Sequence, residues 1–128
     1  MCVIISKNKG QEIPSKEFFE KAWNSNPDGA GFAYNFNNKV YILKGFMNFD
    51  KFYDKLTIIN KVYNLKNRDV VFHFRIATHG KIEPLNTHPF LLPANNEKFV
   101  NKNEMSTTNG CFFHNGILYR FRQHRQVR

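Results

Sequence analysis

Acidic residues are scarce in this chain: 10 Asp and Glu stand against 19 Lys and Arg, for a formal charge of +9 across 128 residues. A surplus of that size raises nucleic acid as a partner. The charge is unevenly spread, however. The last ten residues, YRFRQHRQVR, hold four arginines and no acid, while fifteen basic residues and all ten acids precede them, a net +5. A terminal basic run is ordinarily a solvated one, so a basic nucleic-acid-binding module is kept only as the non-enzymatic alternative. Cysteine is rarer still. Cys2 and Cys111 allow one bridge at most, and with the histidines they do not reproduce the paired ligand spacings of structural zinc. No metal and no cofactor is expected. No apolar run approaches the roughly 20 residues that span a bilayer. SKNKGQE follows directly after the first five residues, which excludes a signal-peptide pattern at the start. Repeats and low-complexity linkers are lacking too. The expectation is a soluble cytoplasmic protein with free thiols, and one domain over residues 1–128.

Phenylalanine, by contrast, is abundant, with 14 copies. CVIIS reads as a short buried strand. PSKEFFEKAW reads as a helix capped by Ser15, with Phe18, Phe19, Ala22 and Trp23 facing inward. NSNPDGAG is dense in turn formers and marks a loop. FAYNFNNKVYILKGF alternates about Asn37-Asn38, which favours a hairpin. From Asn48, a candidate cap, Phe49, Phe52, Tyr53, Leu56, Ile59, Val62 and Tyr63 recur at helical spacing. DVVFHFRIA is a further strand, with Val71, His73 and Arg75 on one face and Phe72 and Phe74 on the other. LLPANNEKFVNKNEMSTTNG is polar and reads as loop. CFFHNGILY closes as a strand running into a turn at Asn115-Gly116. Hairpins without a regular βαβ alternation predict an α+β fold, an antiparallel sheet with helices packed on it.

Three polar clusters interrupt the apolar strands: NPDGAG, FRIATHGKIEPLNTHPF and FHNGIL. An arginine, a threonine and a histidine at one strand end suit a small carboxylate, because the guanidinium offers a two-pronged fork and the hydroxyl a directed partner. A surface ion pair would also explain Arg75. The amide of Asn115 beside Gly116, whose backbone N–H can approach a ligand closely, can form an oxyanion hole; Asn-Gly is also simply a tight turn. Cys2 has two readings as well. A thiol sits readily in a core, yet loss of Met1 would make Cys2 the terminal residue, with an α-amino base of pKa about 7.7–8.0 next to its own nucleophile.

The combination is more specific than its parts. A cysteine at the start, R-x-A-T-H-G at a strand end, N-T-H-P-F and H-N-G-I-L, in this order, resemble the class II glutamine amidotransferases, which are N-terminal-nucleophile hydrolases. NPDGAGFAY is similar to the glycine-rich loop and following strand of their small, stand-alone members. The resemblance runs from Cys2 to about Leu118. It implies that Cys2 attacks the side-chain amide carbon of glutamine to form a thioester, with its own α-amino group relaying the proton. It implies that Asn115 and Gly116 donate to the oxyanion, and that Arg75 pairs with the α-carboxylate while Thr78 and His79 shape the same pocket. His73, His88 and His114 are expected to be structural.

The implied fold is an αββα sandwich. That pattern continues past HNGIL into a helix, further strands and an acid that holds the α-amino group of glutamine. Here the chain ends ten residues after Leu118 and no acid follows Glu104, so the expected domain is incomplete at its C-terminus. The implied partners are glutamine and a separate ammonia-accepting synthase, with no membrane. The rival within the fold is hydrolysis of another γ-glutamyl or acyl amide.

Overall fold

The computed structural model describes residues 1–92 and 100–115. In chain order these form β1 (Val3–Lys7), α1 (Lys16–Ser25), β2 (Ala30–Phe36), β3 (Lys39–Phe46), α2 (Phe49–Tyr63), β4 (Val70–Phe74), β5 (Phe90–Leu91), β6 (Glu104–Thr107) and β7 (Cys111–Phe112). Five strands make one sheet in the order β1-β4-β2-β3-β6, antiparallel throughout, and β5 pairs with β7 in a second, two-stranded sheet. The α+β expectation holds for the described residues.

Both helices start where their caps dictate. The side chains of Ser15 and Asn48 accept the backbone N–H groups of Phe18 and Lys51, each supplying a partner that the first turn lacks. At the turn between β2 and β3, Asn37 and Asn38 both take positive φ (49° and 59°), the conformation of a two-residue hairpin turn that asparagine tolerates. β4 lies between β1 and β2, and its period of two sorts its side chains. Phe72 and Phe74 face the helices and are fully buried against Phe19, Phe32 and Phe52, with edge-on ring contacts such as Phe52–Phe74 at 5.2 Å. His73 faces the opposite side.

On that opposite side the segment before β5 lies directly on the sheet. Gly31, the cross-strand neighbour of His73, has no room for a side chain: a Cβ there would overlap the His88 carbonyl oxygen. The rings of His73 and His88 stack with centroids 4.1 Å apart, and Lys44 sits with its ammonium 4.0 Å from the Phe90 ring. Burial holds the pKa of His73 down to about 4 and that of His88 down to about 3, with Arg75 and the neighbouring histidines adding to the effect. Burial also pulls Lys44 down to about 8.

Several expectations change. Phe18 is about half exposed (51%), because α1 turns only Phe19 and Ala22 fully inward, and Val62 is 67% exposed on the outer face of α2. The polar stretch read as loop contains β6, whose Ser106 and Thr107 pair with Tyr41 and Val40. The last strand is only two residues long within the described part, and its continuation from 116 lies outside it. Lys7, unremarked in the sequence, is 3% exposed; its ammonium donates to the carbonyls of Leu65 and Arg68 at 2.6 Å each and of Asn8 and Lys66 at 3.0 and 3.1 Å. It ties β1 to the short 3-10 turn that follows α2.

Gly31→Ala is expected to lose about 3 kcal/mol or more of unfolding free energy, because the added methyl cannot be housed without lifting the His88 segment; denaturant melts against the wild type check this. Acid should weaken the fold through the histidine pair. Both are neutral when folded, so below the ordinary pKa near 6.5 the unfolded chain takes up protons that the folded chain refuses. Stability is therefore full above about pH 6.5 and falls until the folded values near 4 and 3 are reached. For His73 alone the loss is roughly 3 kcal/mol. Thermal unfolding between pH 7.5 and 4.5 checks it, and His88→Phe should flatten the slope.

Candidate active site

The ladder of β4 ends at Phe74, and the chain beyond it still carries backbone groups that need partners. The NPDG loop supplies them. α1 stops at Asn26, whose N–H bonds back to the carbonyls of Ala22 and Trp23, and Pro27 cannot extend the helix. Gly29 then takes a φ of +123°, a value closed to other residues, and packs where a Cβ would meet the Thr87 methyl. The loop so formed lies along residues 75–77. The Arg75 N–H donates to the Gly29 carbonyl at 2.8 Å and the Asp28 N–H to the Arg75 carbonyl at 2.9 Å. The Ala77 N–H donates to Asp28 Oδ2 at 2.8 Å.

Cys2 precedes β1 and meets the same strand end from its other edge. Its sulfur accepts the Ile76 N–H at 3.4 Å and lies 3.6 Å from the Ile76 carbonyl oxygen. Asn115 arrives from the far end of the described chain, 113 positions away, and its Nδ2 donates to the Cys2 carbonyl at 2.8 Å. His114, just before it, is held by its carbonyl oxygen 3.2 Å from His73 Nε2, so the buried histidine of β4 anchors the residue next to Asn115.

Arg75 is 7% exposed. Its guanidinium donates through Nη1 to the Lys81 carbonyl at 2.7 Å and through Nη2 to the His79 carbonyl at 3.1 Å, which leaves three of its five N–H groups uncommitted to these carbonyls. The fork thereby shapes the loop that carries Thr78 and His79, both exposed. Asn86 Nδ2 also donates to the Lys81 carbonyl, at 2.9 Å, and Thr87 Oγ1 takes the Gly45 N–H at 2.7 Å, fastening the NTHP stretch to β3. Among the described residues, no carboxylate lies within ion-pair distance of Arg75 or Lys44.

The structure therefore brings Cys2, Arg75 and Asn115 to one end of the sheet, with Thr78 and His79 on the adjoining loop. Gly116 lies outside the described residues, as does the basic run 119–128. Sequence reasoning passed over Asp28 and the Ile76 N–H. Asp28 stood in a quoted motif, where it read as turn chemistry; a backbone donor leaves no mark in a sequence at all. The second thiol, Cys111, is in β7, and burial pushes its pKa up to about 11, well away from a reactive thiol. A polar cavity of about 280 Å³ lined by Lys39, Ser106, Thr107, Thr108 and Asn109 lies at the opposite end of the sheet. No group of three or more metal-ligating side chains occurs among the described residues, and no helix there is long and apolar enough to cross a membrane.

A buried guanidinium with uncommitted donors, a thiol on a backbone N–H and an amide donor beside it are groups of the kind that acyl transfer uses. In comparison with known proteins, the family model of the class II glutamine amidotransferases matches residues 17–128, so Cys2 lies upstream of the matched stretch. No curated protein and no solved structure matches the chain.

Proposed function

The chain belongs to the class II glutamine amidotransferases, and from that membership we propose that it releases ammonia from glutamine through Cys2, exposed as the terminal residue by loss of Met1. The proposal treats residues 1–128 as one such domain. The observation that carries it is the meeting of Cys2 with Ile76 and Asn115, from three distant parts of the chain, at the strand end that bears Arg75.

The mechanism follows from these positions. The α-amino group of Cys2 takes the thiol proton as the sulfur attacks the side-chain amide carbon of glutamine. Negative charge gathers on the amide oxygen. The second N–H of Asn115 Nδ2 is available to it, since only one is used on the Cys2 carbonyl. Gly116 is assigned the second donor from its place next to Asn115. Collapse breaks the carbon–nitrogen bond, and the proton held by the α-amino group goes to the departing nitrogen, which leaves as ammonia. Water then attacks the thioester carbon, giving glutamate and restoring the thiol.

Arg75 is the anchor for the substrate α-carboxylate. Its uncommitted N–H groups and its nearly complete burial, with no carboxylate partner among the described residues, suit it to that role. Thr78 and His79 line the same approach. Ammonia passes either to water or to a separate synthase that accepts it.

Cys2→Ala is expected to reduce glutamine hydrolysis by at least about a thousandfold with little change in thermal stability, whereas Cys111→Ala should leave turnover largely intact. The direct test is intact mass before and after incubation with a diazo-ketone glutamine analogue. Loss of Met1 and one adduct at Cys2 support the reading. Retention of Met1, or equal loss of turnover in both cysteine variants, overturns it. Hydrolysis of acylated amines in preference to glutamine would move the substrate to another amide while keeping the nucleophile.

A further inference from the structure

We infer that Asp28 is a positioning residue for the nucleophile: it grips one edge of residues 75–77 and thereby aims the Ile76 N–H, on the other edge, at the Cys2 sulfur. The inference rests on the reading of Cys2 as nucleophile and adds a residue to which that reading gave no part.

In an extended segment, successive N–H groups point to opposite edges. The N–H groups of Arg75 and Ala77 both point to the loop that leads into β2, where they meet the Gly29 carbonyl and Asp28 Oδ2. The Ile76 N–H must then point the other way, toward the chain that leads into β1, and it meets the sulfur there at 3.4 Å. Backbone pairing from the loop reaches only as far as Arg75, through the Gly29 carbonyl and the Asp28 N–H. One residue further on, the carboxylate takes over. An N–H donated to a carboxylate forms a stronger bond than one donated to a neutral acceptor, and it holds Ala77 where the regular ladder has already ended. Freed at Ala77, the segment would be fastened on one side of Ile76 only. The sulfur would then keep its neighbours without a fixed direction, and misdirection of a reacting atom by about 1 Å costs on the order of a hundredfold in rate.

The test uses the full chain, with removal of Met1 verified by mass, as wild type, Asp28→Ala and Asp28→Asn. Modification rates at Cys2 and at Cys111 are followed with iodoacetamide and with the diazo-ketone glutamine analogue from pH 6 to 9, at a temperature where circular dichroism finds each variant folded. Asp28→Ala is expected to slow modification of Cys2 about 10- to 100-fold and to change its pH profile, with Cys111 unaffected. Asp28→Asn keeps an oxygen acceptor without the charge and should recover most of that loss while leaving Cys2 about two- to fivefold slower than in the wild type. A merely structural role would move both cysteines together, and that result, or an unchanged rate and profile at Cys2, overturns the inference. If Asp28→Ala does not fold, selective slowing of Cys2 in Asp28→Asn upholds the inference and its absence overturns it. A wild type that takes iodoacetamide at Cys2 but ignores the glutamine analogue would defeat the glutamine reading, while the iodoacetamide rates still decide the role of Asp28.

Discussion

The alternation along β4 is the constraint on which fold and site both depend. A strand paired on both edges cannot rotate, so its period of two divides the molecule: Phe72 and Phe74 go to the helices, His73 and Arg75 to the other side. The aromatic cluster on the first side, with Phe19, Phe32 and Phe52 all fully buried, removes enough apolar surface to hold this register firmly. A slip of one residue would put phenylalanine against His88 and a guanidinium among the rings. The core thereby specifies where the polar chemistry must stand, without touching it.

The second constraint is closeness on the polar side. Gly31 brings the backbone of His88 onto the sheet, and the stacked imidazoles fill the space beside it. His73 then reaches the carbonyl of His114, next to Asn115, from a position fixed by the core. The Nδ1 atoms of both rings are buried and have no hydrogen-bond partner among the described residues. Burying such atoms costs stability, and here the cost falls on groups that connect the rigid sheet to the segment carrying the amide donor.

Much of the architecture was legible because local chemistry and global packing agree. Two asparagines at a hairpin tip, serine and asparagine caps, and alternation over Val70–Phe74 each describe a requirement that lies within a few residues. What escaped depends on distant partners. β6 reads as loop because Met105 is the single apolar residue in Glu104–Thr107, and the strand exists because β3 offers it an edge to pair with. Lys7 carries no local signal of burial, and only the carbonyls after α2 that close around its ammonium reveal its role. The exposure of Phe18 follows from where α1 docks, which helical spacing alone cannot settle. Cys2, Arg75 and Asn115 could be picked out one by one from their own chemistry, but their sharing of one site was implied by the family resemblance alone; Asp28 was hidden by its own ambiguity, since an aspartate before glycine is ordinary turn chemistry.

Positive charge on the polar side of the sheet is buried without balance among the described residues. Arg75 and Lys44 are both nearly buried, and among the described residues neither has a carboxylate within ion-pair distance. Carbonyl oxygens satisfy part of their hydrogen-bonding capacity but none of their charge, and a buried cation in that condition is costly. The cost shows in Lys44, whose proton is held less tightly than in water; arginine has no such escape, because its guanidinium does not deprotonate. On the proposed reading, an arriving α-carboxylate would give Arg75 the charge partner that it lacks among the described residues, and part of the folding cost would return as binding energy. On the same reading a neutral acyl amide is the poorer substrate, since it would leave the guanidinium as unsatisfied as before.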